Sequence, residues 1–223
     1  MLQGAKETTY FPLLFAAVRT GLRRGELLGL RWKDIDLKTG TLSVKQSLAY
    51  TLAKGLFFKP PKNKRSRRTI HISKEVIDVF KHQKKLQNEA RLFYGEKYQD
   101  GDLVFSQHNG KPMHPDTPTS WLPDFLGRVK IHKTCNNLIK NEEICPHCCK
   151  KVREMDIIKL PRLNLHSLRH THASHLLQAG VDIKIISERL GHSSIRITYD
   201  IYSHLMPGMQ KDAADKLEAL FRK

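Results

Sequence analysis

The sequence predicts an α+β fold that is mainly α-helical, with one small antiparallel sheet near its front. Three observations carry this. Helical runs fill residues 10–30, 73–90 and 117–129 and return after 160, with Gly21, Gly180 and Gly191 standing just past helix ends. Nearly all the strand candidates crowd between residues 41 and 72. A polar stretch at 131–159, holding every cysteine of the chain, breaks both patterns.

The elements follow in order. Residues 10–20 are rich in Leu, Phe and Ala and stop at Gly21. A short helix at 24–30 offers Leu27, Leu28 and Leu30 to a core, and a turn at Thr39-Gly40 ends the segment after Trp32. Strands are expected at 41–48, 55–59 and 67–72. In the last of these Arg68, Ile70 and Ile72 alternate with Thr69 and His71. Residues 60–66, two prolines followed by Lys62, Lys64 and Arg65, form a basic turn. Ser73 caps a helix to about 90, with Val76, Ile77, Val79 and Phe80 apolar. A short strand at 103–105 and a helix at 117–129 come next. Beyond the polar stretch, helices are expected at 166–179, 182–190, 194–204 and 206–221.

Charge narrows the function. Lys and Arg total 39 against 22 Asp and Glu, a net charge of +17, which favours a polyanionic partner because phosphate contacts release counterions. No apolar run approaches the roughly 20 residues needed to span a bilayer, and residues 1–6 lack a signal-peptide pattern. A cytosolic setting fits. The four cysteines, Cys135, Cys145, Cys148 and Cys149, lie too close together for a disulfide framework. His132-x-x-Cys135 and Cys145-Pro-x-Cys148 have the paired-knuckle spacing of a tetrahedral structural zinc site. His147 or Cys149 could replace His132 as the fourth ligand.

The second half of the chain carries residues suited to phosphodiester exchange. Such chemistry needs a nucleophile, fixed cations at the non-bridging oxygens and a proton for the leaving oxygen. Arg grips phosphate bidentately. His166 and Arg169 are three apart and share a helix face. His192 follows a glycine at a helix end, and Tyr202 comes ten residues later. Near the front, Arg23 sits on a tight glycine turn with Glu26 three residues on.

The runs TGLRRGELLGLRWKDID, KNKRSRRTI, HSLRHTHASHLLQAG and LGHSSIRITYDIYSHL stand in the order seen in the tyrosine recombinase, or phage integrase, family, and the chain resembles that family over about 8–130 and 160–222. The flavour is that of integrases of Gram-positive phages and conjugative transposons. The resemblance implies a catalytic domain that cleaves and rejoins DNA through a 3′-phosphotyrosine, without metal or high-energy cofactor. By position, Arg23 and Arg169 resemble the two phosphate-clamping arginines, and Glu26 the acid that holds the first arginine's turn. His166 resembles a proton-handling, phosphate-binding histidine, and His192 a donor to a non-bridging oxygen. Tyr202 resembles the nucleophile, with Tyr199, one turn earlier, its rival. The family's catalytic lysine lies on a hairpin; Lys62 is favoured and Lys64 stays open.

The typical family pattern has no counterpart to 131–159, which reads as an inserted zinc-binding subdomain adding DNA or protein contacts. The resemblance also implies a fragment lacking the N-terminal core-binding domain. The last helix, with Ala213, Ala214, Leu217, Leu220 and Phe221 on one side, suggests a partner groove. In relatives that helix docks on a neighbouring protomer of a tetramer on DNA; here it could instead pack in cis. Duller readings stand beside these. Arg24 is a surface or DNA-backbone residue, His172 and His175 are core or solvent-facing, and the basic run 59–68 is a solvated hairpin, although in a DNA-binding chain it is expected to touch phosphates or a groove instead. A type IB topoisomerase-like enzyme and a non-catalytic DNA-binding descendant are the rival functions.

Overall fold

The computed structural model describes residues 1–61, 64–140, 142–203, 217, 218 and 221. Its helices are α1 (Leu2–Ala5), α2 (Phe11–Thr20), α3 (Arg24–Leu28), α4 (Lys74–Tyr94), α5 (Asp116–Arg128), α6 (Leu165–Gln178), α7 (Ile183–Leu190) and α8 (Ile195–Tyr202). Its strands are β1 (Ile35–Asp36), β2 (Thr41–Val44), β3 (Ser47–Thr51), β4 (Gly55–Lys59), β5 (Arg68–His71), β6 (Lys130–His132), β7 (Asn137–Ile139) and β8 (Ile157–Lys159). The fold is α+β and mainly helical, as expected.

The sheet content is richer than the sequence suggested. In place of one sheet there are three among the described residues: β1-β2-β5, the β3-β4 hairpin and β7-β6-β8, all antiparallel. The single strand expected at 41–48 is broken between Val44 and Ser47. Its first half pairs with β5, Leu42 opposite Ile70, and its second half turns away to pair with β4. The strand expected at 103–105 is reduced to one bridge, Leu103 to Arg31. Its apolar residues are buried, but Val104 N–H bonds the Leu30 carbonyl in a loop, and the Leu103 and Val104 carbonyls accept from the Gln87 side chain on α4. The stretch 131–159 is not irregular. It folds on the third sheet, whose strands of three residues are too short to show periodicity.

The main core gathers Leu13, Leu14 and Ala17 of α2, Leu27 and Leu28 of α3, Phe80 of α4, Leu122 and Leu126 of α5 and Leu168 of α6. A satellite cluster matters more for function. Ala173 of α6, Ile186 and Leu190 of α7 and the ring of Tyr202 pack together, with Leu176, Leu177 and Val181 at its edge. Tyr202 is 3% exposed.

Local chemistry sets the helix ends that frame the site. Gly21 ends α2 at φ 66°, a conformation that strains any residue with a Cβ, and a Cβ there would lie 2.5 Å from the His172 ring. Asn164 caps α6 by accepting from the Ser167 N–H at 2.9 Å, and Asp182 and Ser194 do the same for α7 and α8. Gly191, at φ 67°, closes α7 and leaves its carbonyl free to turn inward. The helix expected at 206–221 falls outside the described residues apart from Leu217, Glu218 and Phe221, and Leu217 and Phe221 are exposed. No helix among the described residues is long and apolar enough to cross a membrane.

Candidate active site and candidate metal centre

The α7–α8 turn organises one cleft. The Arg23 Nη2 donates to the Gly191 carbonyl at 2.9 Å, and the Arg169 Nη2 donates to the Leu190 carbonyl at 2.7 Å. Two guanidinium groups from opposite ends of the chain thus rest on consecutive carbonyls, with His192 next in sequence. Arg169 also donates to the Gly21 carbonyl at 2.7 Å, so it ties α6 to the turn that carries Arg23. Arg23, His166, Arg169, His192 and Tyr202 all line one open cleft of about 540 Å³. Five of the six catalytic residues expected from the sequence are brought together. The sixth, Lys62, lies outside the described residues, and of its rival Lys64 only the backbone, in a 3-10 turn at 64–66, is described. Lys59, Pro60 and Pro61, which lead toward Lys62 in sequence, border the cleft.

Glu26 and Arg68 are the frame beneath. Glu26 accepts from the Arg23 backbone N–H and from its Nη1, both at 2.9 Å. On its other side Glu26 pairs with Arg68 through two bonds of 3.1 and 2.9 Å. The carboxylate is 5% exposed. Burial alone would raise its pKa, but the Arg68 and Arg23 bonds outweigh that and hold it below the ordinary value, so it stays charged at neutral pH. Arg68 goes on to donate to the Arg189 carbonyl at 2.6 Å. The sequence leads one to expect the basic run 59–68 to touch phosphates or a groove. The structure corrects this for Arg68, which is buried against Glu26 and α7. The signal was present: Arg68 shares the inward face of β5 with Ile70. Arg65 bonds the Ser193 carbonyl on the cleft's rim.

Several histidines are held neutral. Burial and then Arg169 and Arg23 lower His192 to about 4. Its Nδ1 lies 2.8 Å from the hydroxyl of fully buried Thr198. His166 is lowered by burial and by His170. His172 is a structural residue, as its duller reading had it: Nδ1–H donates to the Val18 carbonyl at 2.9 Å, and Nε2 accepts from Arg189 at 3.0 Å. Arg24 is also a surface residue, bonded to Thr119 at 2.9 Å and Asp116 at 3.3 Å. Arg169 is pushed down to about 9 by burial and by Arg23, which still leaves it cationic at neutral pH.

Tyr202 and Tyr199 differ sharply. Tyr202 lines the cleft, while Tyr199 is 57% exposed and does not. Burial raises the Tyr202 pKa, only partly opposed by Arg169, so its phenol is protonated near neutrality. Its hydroxyl lies 2.7 Å from the Nδ1 of His170. Sequence reasoning gave His170 no role. Its place four residues after His166, on the same face of α6, was the available signal, and the two rings meet edge to face at 4.6 Å.

A sequence model described as the phage integrase family matches residues 5–208. The chain belongs to the phage integrase family. Among family relatives it is 32% identical over 212 residues to the ICEBs1 integrase of Bacillus subtilis (strain 168), covering 95% of this chain and 48% of that protein. It is 31% identical over 231 residues to a XerC-like tyrosine recombinase of Caldanaerobacter subterraneus, covering 99% of this chain and 51% of the other. The chain therefore spans about half the length of these curated family members. Its fold matches that of the Tn1549 transposon integrase, solved in complex with transposon right end DNA, with a TM-score of 0.71 at 20% identity, over 98% of this chain and 62% of that one.

The second constellation lies in the third sheet. His132 ends β6, and its Nδ1 lies 3.4 Å from the sulfurs of both Cys135 and Cys148. The Cys135 and Cys145 sulfurs are 3.6 Å apart, and the four donor atoms all fall within 4.8 Å of one another. His132 and Cys145 are fully buried. The two turns match: Asn136 N–H donates to the His132 carbonyl at 2.8 Å, and Cys149 N–H to the Cys145 carbonyl at 2.9 Å. His147 and Cys149 are exposed and stand outside the set.

Proposed function

We propose that this chain is the catalytic part of a site-specific DNA recombinase, which integrates or excises a mobile element through a 3′-phosphotyrosine at Tyr202. The observation that carries this is the seating of Arg23 on the Gly191 carbonyl and of Arg169 on the Leu190 carbonyl, in one cleft with His192 and Tyr202. The net charge of +17 suits a DNA partner. The two guanidinium groups hold the scissile phosphate and neutralise charge as it builds. In the tautomer where the His192 Nδ1 accepts from the Thr198 hydroxyl, 2.8 Å away, Nε2–H is left to donate to a non-bridging oxygen. The Tyr202 oxygen bonds to phosphorus, the P–O5′ bond breaks, and the 5′-oxygen takes a proton from Lys62, the role the family resemblance gives it. His166 contributes a further cleft contact to phosphate. Rejoining reverses these steps.

The donor geometry supports zinc as a structural cofactor held by His132 Nδ1 and the sulfurs of Cys135, Cys145 and Cys148. Tetrahedral zinc with ordinary bond lengths places N and S about 3.5 Å apart and S and S about 3.8 Å apart. The observed 3.4 and 3.6 Å fit that frame. The metal would staple the turns of the β6–β8 module and takes no part in phosphoryl chemistry. Exposed Leu217 and Phe221 in the last segment support docking on a neighbouring copy in a tetramer on DNA.

The test is covalent capture. Singly nicked duplexes from a randomised pool are incubated with the chain, and adducts are selected and sequenced. Wild-type protein should enrich one site. Tyr202→Phe should abolish the adduct and leave binding to that duplex nearly unchanged. An adduct that survives Tyr202→Phe but vanishes in Tyr199→Phe would overturn the assignment.

A further inference from the structure

Resting on the recombinase reading above, we infer that His170 is a catalytic residue, the general base that takes the Tyr202 phenolic proton. Its Nδ1 is 2.7 Å from the Tyr202 oxygen, inside the reach needed for direct proton transfer. The rings lie 5.7 Å apart, with Tyr202 held by the satellite core and His170 on the cleft-facing side of α6. In the tautomer with Nδ1 bare, the protonated phenol donates and the imidazole accepts. Burial and the Arg169 charge lower His170, which favours its neutral form. The groups facing it are Arg169 and His166 on its own helix, Tyr202 on α8 and His192 at the α7–α8 turn. Arg169 and its lowered pKa disfavour a resting imidazolium, which keeps the base available.

The step balances without a further reactant. As the Tyr202 oxygen bonds to phosphorus, its proton passes to His170 Nδ1 and the P–O5′ bond breaks; the 5′-oxygen is protonated separately. On rejoining, the 5′-hydroxyl attacks, the tyrosine oxygen leaves, and His170 returns the proton. His170 thus handles the proton of the nucleophile, separately from the proton of the leaving group, which the family resemblance gives to Lys62.

The experiment uses the captured duplex and single-turnover adduct formation between pH 5 and 9. His170→Asn keeps an oxygen acceptor near the Nδ1 position but has no basicity. It should form adduct about 100-fold more slowly at pH 7. The wild-type rate should fall on the acid side as His170 is protonated. In the variant that limb should be replaced by a rise of about tenfold per pH unit. A second duplex carries sulfur in place of the bridging 5′-oxygen, so its leaving group needs no proton; there the variant should remain slow. Binding to uncut duplex and the thermal unfolding curve show that the variant is folded; His170→Gln replaces it if it is not. A variant within threefold of wild type, a slow variant with the wild-type pH profile, or recovery on the sulfur duplex would each overturn the assignment. If wild type itself forms no adduct, the recombinase reading falls, and this inference with it.

Discussion

The cleft and the cysteine knuckle are built by opposite strategies. The cleft draws Arg23, Arg68 and Arg169 from across the chain and holds them by hydrogen bonds to backbone carbonyls and to one carboxylate, Glu26, while His192 and Tyr202 are bonded to Thr198 and His170. The knuckle takes all its donors from one short stretch, His132 at the end of a three-residue strand and the three cysteines in turns beside it. The first needs the whole core in register before any functional group is placed. The second needs a few turns and a metal, because a small β module cannot bury enough apolar surface to order itself. In β7 Ile139 is buried and Leu138 packs on the main core. The comparison teaches that long-range placement makes the cleft cooperative with folding, whereas the knuckle can fail alone.

The sharpest way to break this picture is at Glu26. Glu26→Ala removes the carboxylate between Arg23 and Arg68 and leaves two cations crowded near Arg169 without compensation. Removing one partner of a buried pair costs about 3–5 kcal/mol. The expected loss in urea unfolding is of that order, and adduct formation should drop at least 100-fold because the Arg23 turn loses its brace. A stability loss below about 1 kcal/mol would show that the cleft does not depend on its frame.

Much of this was legible beforehand. Arg23, His166, Arg169, His192 and Tyr202 stand in motifs with recognisable spacing, and the ligand set His132, Cys135, Cys145 and Cys148 follows from paired two-residue gaps. What escaped was what depends on pairing at a distance. Arg68 looks like one more cation in a basic hairpin, because nothing near it in sequence announces Glu26, 42 residues earlier. The break between β2 and β3 was hidden because both halves are equally apolar, and only their different partners, β5 and β4, separate them. His170 was overlooked among four histidines on one helix, since its partner lies 32 residues downstream.

A middle-sized effect is expected at the knuckle. Purified wild-type chain should carry about one zinc, read by atomic emission, and Cys145→Ser should carry none. Since the module takes no part in the chemistry, the variant should form adduct within about threefold of wild type. Hydrogen exchange should rise in β6, β7 and β8 while α2 and α6 stay protected. Loss of protection throughout α2 and α6 would show that the two regions share one cooperative unit. Wild-type protein without zinc would remove the metal from the picture.

The smallest expected effect separates the regions by acid. His172 is buried and neutral, wedged between the Val18 carbonyl and Arg189, with its pKa pushed down to about 4 by burial first and by Arg189 second. An unfolded histidine titrates near 6.5, so between these values the unfolded chain binds the proton and the folded chain does not. The stabilisation is therefore complete above pH 6.5 and is lost as pH falls toward 4, by roughly 3 kcal/mol. His166, His170 and His192 are lowered too and add slope of the same sign. His172→Asn keeps a donor toward Val18 but cannot titrate. Its urea-unfolding free energy should start lower at pH 7 and decline less steeply between pH 6.5 and 4 than that of wild type. The knuckle responds to acid by a different route, since protonated thiols release zinc, and that loss should be the same in His172→Asn and wild type. An unchanged slope in the variant would mean that His172 is not the buried neutral wedge between α2 and Arg189, and that acid reaches the core by another group.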